Sequence, residues 1–442
     1  MSSQPSASAP SLLAQPHAGA RRAVQITGLS INGVLLFATS FLVVASGFAS
    51  LRPDVFGLLL HPFLVPVALA FPFVIMSRLG DFPVRILVTL LIATGIYWFS
   101  IFSGGNFPPG EVFKTGSAIV TIITCALLVR RRGDVVAGVL GLNLAIAFLA
   151  VNGLQDTGVT GVDAMEAANK NSYSLFALPA ILLSGYVCLR MPGVSIVIKA
   201  VLIACSLAAL AAIFMSANRS GYVGAVLVGL MLFWDRRGQG LLLVGAVTGL
   251  LLFGLARFGS TEVFEQRMED TVSGHESDDL RKAILWACLD IGLENPIIGI
   301  SPQKLPSEIG QRVGVQHRKT YIDSHNVFAH VFASSGVLCI LALGAAAGTM
   351  WFWKPRNGVK VGRRDDPLRD ARALLRMMVM LWIVRGMFTR EILYNPSFNI
   401  AIGLGIGLCL LAEVARESMP QFAAKRPMPV LPAVGAAPTS GV

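Results

Sequence analysis

The chain has 442 residues, is 54% hydrophobic and only 14% charged, and carries a formal net charge of +11. Soluble domains carry about 25% charged residues, so a globular enzyme with a single anchor is excluded. The positive charge does not mark a nucleic-acid binder, because the basic residues sit mostly in short loops between apolar runs, as membrane orientation requires.

Residues 1–22 begin with a tract rich in Ser, Ala and Pro, and read as a disordered cytoplasmic N-terminus. Arg21 and Arg22 precede an apolar run, as in a signal peptide. The run from about Gly28 to Phe48 is too long for one and ends in no clean cleavage site, so it reads as a retained first helix. Apolar runs then recur at 28–49, 55–76, 84–102, 114–130, 134–151, 174–190, 196–215, 219–235, 240–257, 325–350, 375–393 and 397–414. Each is close to bilayer-spanning length. Lipid leaves no backbone group to water, so these runs predict about twelve transmembrane helices and an all-α polytopic membrane protein. A β-barrel would need short alternating strands instead. Helices 1–9 fall within 23–257, a large loop covers 258–324, helices 10–12 fall within 325–416, and 417–442 is a Pro- and Ala-rich disordered cytoplasmic tail.

Lys and Arg set the orientation. With the N-terminus in the cytoplasm, inner loops hold Arg78, Arg85, Arg130, Arg131, Arg132, Arg190, Lys199, Arg236, Arg237 and the set from Lys354 to Arg376. The short outer loops hold only Arg52, Lys114, Lys170, Arg219 and Arg390. Both termini are therefore expected in the cytoplasm. The loop 258–324 lies outside, and loops of that length are usually functional. Within it, residues 278–293 have helical spacing, with Leu280, Ile284, Ala287 and Ile291 on one stripe. Asp278 and Asp279 suit its start and Asn295-Pro296 its stop. A short amphipathic helix lying on the membrane surface is expected. Five of the six cysteines lie in apolar runs and no C-x-x-C occurs, so they read as small buried hydrophobes.

Polar groups near membrane depth are costly and mark function, and the candidates gather on the outer side. Arg219 sits in the turn MSANRSGYVG, on a side kept poor in positive charge; it is either a snorkelling interface arginine or an anion ligand. Arg281, on the loop helix, belongs to a solvated face or captures phosphate bidentately. His325 stands in YIDSHNVFAHVFASSG beside Asp323 and Asn326. One reading makes Asp323 or Ser324 an N-cap and His325 a polar first-turn residue. The other makes His325 a general base, with Asp323 orienting it. His330 is secondary. Arg385 lies inside an apolar run and needs a counter-charge or a cavity, whereas Arg390 and Glu391 suit an interface pair. No H-E-x-x-H, Cys/His metal spacing, P-loop or outer D-x-D pair occurs, which points to a reaction without metal or cofactor.

These pieces together resemble the O-antigen ligase and lipid-linked polysaccharide polymerase superfamily, integral-membrane glycosyltransferases. The resemblance rests on NRSGYVG, the large late outer loop, Arg281-x4-Trp286 followed by Pro296-x2-Gly299, DSHNVFAHVFASSG and NKNSYSLFALP, and is strongest over 165–345. Asn218 and Ser301 depart from the pattern, Ser301 standing for the second glycine of a Gly-x-Gly. The resemblance implies an undecaprenyl-pyrophosphate-linked glycan as donor and a lipid A core or growing glycan as acceptor. It also implies the bacterial inner membrane with a periplasmic active site. By it, Arg219 and Arg281 hold the pyrophosphate, His325 activates the acceptor hydroxyl, and the anomeric carbon inverts; Asp323, Asn326 and Arg385 join the expected substrate-binding set. Ligation and polymerisation of O-antigen or exopolysaccharide repeats share this chemistry and stay open. A twelve-helix transporter would show two six-helix halves joined by a long inner linker; this chain has its large loop after the ninth run and no visible repeat. A lipid-linked sugar flippase is the lesser alternative.

Overall fold

The computed structural model describes residues 30–47, 54–55, 58–105, 109–160, 170–215, 219–233, 276–314, 324–355 and 366–417. These contain α1 (Ile31–Phe41), α2 (Leu64–Arg78), α3 (Val84–Ser103), α4 (Pro109–Leu128), α5 (Arg132–Thr160), α6 (Lys170–Arg190) and α7 (Ile196–Met215). They continue with α8 (Arg219–Phe233), α9 (Glu276–Glu294), α10 (Leu305–Val313), α11 (Val327–Trp351), α12 (Pro367–Gly386) and α13 (Pro396–Glu417). Short 3-10 turns extend α1 and α2, and a third covers Arg390–Leu393. A two-residue antiparallel pair, β1 (Asp54–Val55) and β2 (Leu58–Leu59), precedes α2.

Eight of the described helical segments are long and apolar enough to cross a membrane, and α1 and α8 are shorter apolar helices. The chain is thus a polytopic helical membrane protein. Helices stand at eleven of the twelve apolar runs, and the run 240–257 lies outside the described residues. Several boundaries move; the run expected at 134–151, for one, is helical to Thr160. The run expected at 55–76 starts with the β pair, and its helix begins only at Leu64. The run expected at 375–393 is helical from Pro367 to Gly386, because the Asp366 side chain caps Leu368 N at 3.1 Å and proline occupies the first turn.

At the centre is α13, with 83% of its most apolar window buried. Gly403 and Gly407, one turn apart, let α4 approach: a Cβ on either would come within 2.7 Å of an α4 backbone oxygen. Small residues at such spacing are how helices pack where lipid supplies no hydrophobic drive. Around this pair, α3 packs on α11, α12 on α13, α1 and α7 on α5, and α6 on α7, α8 and α13.

One end of the bundle is basic. Arg78 Nη1 donates to Leu127 O at 2.7 Å, Arg376 Nε donates to Trp351 O at 2.9 Å, and Arg190 meets Asp370 at 3.9 Å. Asp134 is buried there, accepting from Arg130 N, Arg131 N and the Ser30 hydroxyl. These side chains satisfy the open helix termini that lipid cannot.

At the opposite end, α9 and α10 form a cap. Ile284, Ala287, Cys288 and Ile291 of α9 pack with Leu305 and Ile309 of α10 against Ala329 and Ala333 of α11. The expected lipid-facing stripe is thereby corrected: Ile284, Ala287 and Ile291 are buried in protein, and only Leu280 stays exposed. Periodicity showed that α9 has an apolar face but not what would cover it.

The cap is fastened by main chain. α11 breaks at Gly336 (φ 74°, ψ −178°), and the segment 296–301 fills the break. Ile300 N donates to Ala333 O (3.0 Å), Ser301 N to Ser334 O (2.9 Å), and Val337 N to Pro296 O (2.7 Å). Ser100 of α3 adds a hydrogen bond to Ser334 O at 2.5 Å. Gly336 is required here, since a Cβ would sit 2.1 Å from Ile297 O.

Candidate active site

Asn326 ends the loop before α11. Its side chain caps the helix, accepting from Phe328 N (2.9 Å) and Ala329 N (3.1 Å). The expected N-cap at Asp323 or Ser324 is corrected accordingly: Asn326 holds that place, and His325 lies outside the helix rather than in its first turn. Ser324 is buried, its hydroxyl donating to Asn326 O at 3.2 Å. Asp323 lies outside the described residues.

His325 takes a left-handed backbone conformation (φ 48°). For a residue with a Cβ this costs roughly 1–2 kcal/mol, and such strain clusters where side-chain direction matters. The imidazole is half-buried. Burial lowers its pKa below the ordinary 6.5, and the Arg281 guanidinium lowers it further, while the Glu391 carboxylate opposes both. The ring is therefore neutral near pH 7 and able to accept a proton.

Arg281 is an exposed residue of α9, close enough to His325 to bear on its charge. Glu391, on the 3-10 turn after α12, completes that neighbourhood. It was expected at the interface, and nothing in its sequence context pointed to the histidine; the turn of chain after Gly386 brings it there.

Arg219 opens α8, and its side chain lies outside the described residues. Its surroundings are fixed by the next turn. A Cβ on Gly221 would meet Ser174 of α6 at 3.1 Å, and one on Gly224 would meet Arg385 Cδ at 3.4 Å. The start of α8 thus lies beside Arg385, in the last turn of α12, the one arginine almost wholly buried among the described residues. Arg385 Nη2 donates to Ser174 Oγ at 2.8 Å, while its Nε and Nη1 have no hydrogen-bond partner. No carboxylate pairs with it among the described residues. Sequence reading singled out NKNSYSLFALP but gave Ser174 no role, since only tertiary packing shows its contact.

Gly386 connects the two groups of residues: a Cβ there would come within 2.7 Å of Val327, next to the Asn326 cap. His330 is buried one turn into α11. Nearby, an apolar slot of about 120 Å³ is lined by Tyr97, Val331 and Leu393 and extends to Ala346 and Met350. Ser301 keeps the positive φ (80°) that a glycine there would hold. No group of three or more His, Cys, Asp or Glu side chains suited to a metal occurs among the described residues.

Fold and site define a class, a multi-pass helical membrane protein with a histidine and several arginines gathered at one end of its bundle. Residues 204–344, from α7 through most of α11, match the family model described as O-Antigen ligase, which supports a likeness to the O-antigen ligase superfamily. Arg219, Arg281 and His325 all fall within the match. No curated protein matches the chain. The family implies an enzyme of glycosyltransferase type acting on lipid-linked glycan and acceptor substrates in a membrane.

Proposed function

We propose that the protein transfers a glycan from undecaprenyl pyrophosphate to an acceptor hydroxyl, in the manner of an O-antigen ligase, on the periplasmic face of the bacterial inner membrane. The acceptor is lipid A core in this reading. The observation that carries it is the half-buried, neutral His325 beside Arg281. A neutral imidazole accepts the acceptor's hydroxyl proton as the oxygen attacks the anomeric carbon. The bond from that carbon to the pyrophosphate oxygen breaks on the opposite side, so the centre inverts and the electron pair leaves on pyrophosphate. Arg219 and Arg281 hold the pyrophosphate and offset its growing charge. Arg385 supports them from beneath α8, with Nε and Nη1 open as donors. Asn326 fixes the helix start that aims His325, and Asp323 lies two residues before it. The slot between α3, α4 and α11 suits part of a prenyl chain by its apolar lining. Pyrophosphate is a good leaving group, so the step as written uses no metal or cofactor.

The test is transfer by His325→Ala in membranes containing the variant at wild-type abundance. Loss of at least about 100-fold is expected for a general base. Wild-type transfer sinks the assignment.

A further inference from the structure

The buried faces of α9 leave its opposite side to account for. One exposed stripe runs along it: Asp279, Lys282, Trp286 and Leu293, continued by Ile297 in the following turn. These positions share a face at helical spacing. The stripe changes character along its length. Its start carries the exposed ion pair Lys282–Asp279. Its end carries Trp286, Leu293 and Ile297 at 64%, 69% and 60% exposure, with Ile298 beside them at 39%. Asp290 is exposed within the apolar part, between Trp286 and Leu293.

The apolar end continues the surface that faces lipid. Ile297 and Ile298 close a crevice of about 250 Å³ with Gly95, Ile96 and Phe99 of α3 and Leu338 of α11. Phe99, Leu338 and Leu341 are themselves exposed on these membrane helices. The main-chain bonds to Ala333, Ser334 and Val337 fix the depth. They hold the 296–301 segment at Gly336, nine residues or about 13 Å down α11 from its start. An exposed isoleucine pair held at that depth against lipid-facing helix flanks has one fitting environment, hydrocarbon.

We propose that Trp286, Leu293, Ile297 and Ile298 form a re-entrant wedge in the acyl region of the leaflet on the site side, with an acyl chain of a bilayer lipid in the crevice beside Phe99. α9 then stands tilted, its Lys282 end in water and its Leu293 end in the membrane. Arg281 lies about 140° around the helix from Trp286. One side of α9 therefore meets lipid while another carries the arginine toward His325. The inference rests on exposure and main-chain geometry, not on the transferase reading.

The test is spin labelling of Ile298→Cys and, separately, Lys282→Cys in phosphatidylglycerol/phosphatidylethanolamine nanodiscs. Unsubstituted protein treated alike sets the background, since five of the six native cysteines are buried. The Ile298 label should relax several-fold more with oxygen than with a water-soluble nickel chelate, and the Lys282 label the reverse. Leu293→Cys should repeat the Ile298 pattern should that variant fail to fold. A nickel-accessible label at both Ile298 and Leu293 overturns the wedge. So does dipolar broadening between Ile298 labels, which would show a second copy covering the stripe.

Discussion

His325 owes its charge state to burial and to two neighbours, each acting in a known direction. Burial and Arg281 favour the neutral ring, and Glu391 favours the imidazolium. A base works only when unprotonated, so kcat/KM for transfer should fall on the acid side with a midpoint below the ordinary 6.5. Glu391→Gln removes the one opposing influence among the described residues and should move that midpoint further down in a pH–rate profile. A midpoint that stays in place or rises contradicts the assigned neighbourhood. Histidine and arginine could be found in the sequence because such groups stand out against apolar runs. Glu391 and Ser174 could not, because a carboxylate at a helix end and a serine in a helix are ordinary until folding sets them beside an imidazole and a guanidinium.

Among the elements, the cap and the broken helix depend on each other. α11 gives up helical hydrogen bonds at Gly336 and regains them from 296–301. Gly336→Ala should cost about 1–3 kcal/mol from its glycine-only backbone conformation alone, with the Ile297 carbonyl contact added. A lower unfolding midpoint in detergent is the measurement, and an unchanged midpoint would mean that the break can close. Hydropathy reads α11 as one continuous span, since DSHNVFAHVFASSG shows a glycine but not the partner strand of chain that opens the helix there. The start of α12 was hidden for a related reason. Arg369, Arg372 and Arg376 dilute its first turns, while the Asp366-Pro367 cap marks the true beginning.

For the whole molecule, the two ends of the bundle differ in kind. One end gathers Arg78, Arg130, Arg131 and Arg190 around helix termini, and the other holds the site and the cap. If orientation follows positive charge, a membrane-impermeant maleimide should label Lys282→Cys in spheroplasts. Arg131→Cys should label only after permeabilisation. Reversed labelling would put the site in the cytoplasm and remove the periplasmic reading. That helices exist, and roughly where, was legible because bilayer thickness sets their length. Their arrangement around α13 was not, since Gly403 and Gly407 face α4 only once both helices are in place.

The segment 296–301 has a consequence for chain length. Its amides and carbonyls are matched one by one to Ala333, Ser334 and Val337, with glycines at 299 and 336 where the two backbones touch. Adding or removing a single residue would shift that register and put a side chain where only a hydrogen fits. This short stretch is therefore closed to insertions and deletions, although the sequence reads as a large loop there, where variation in length is usually easiest.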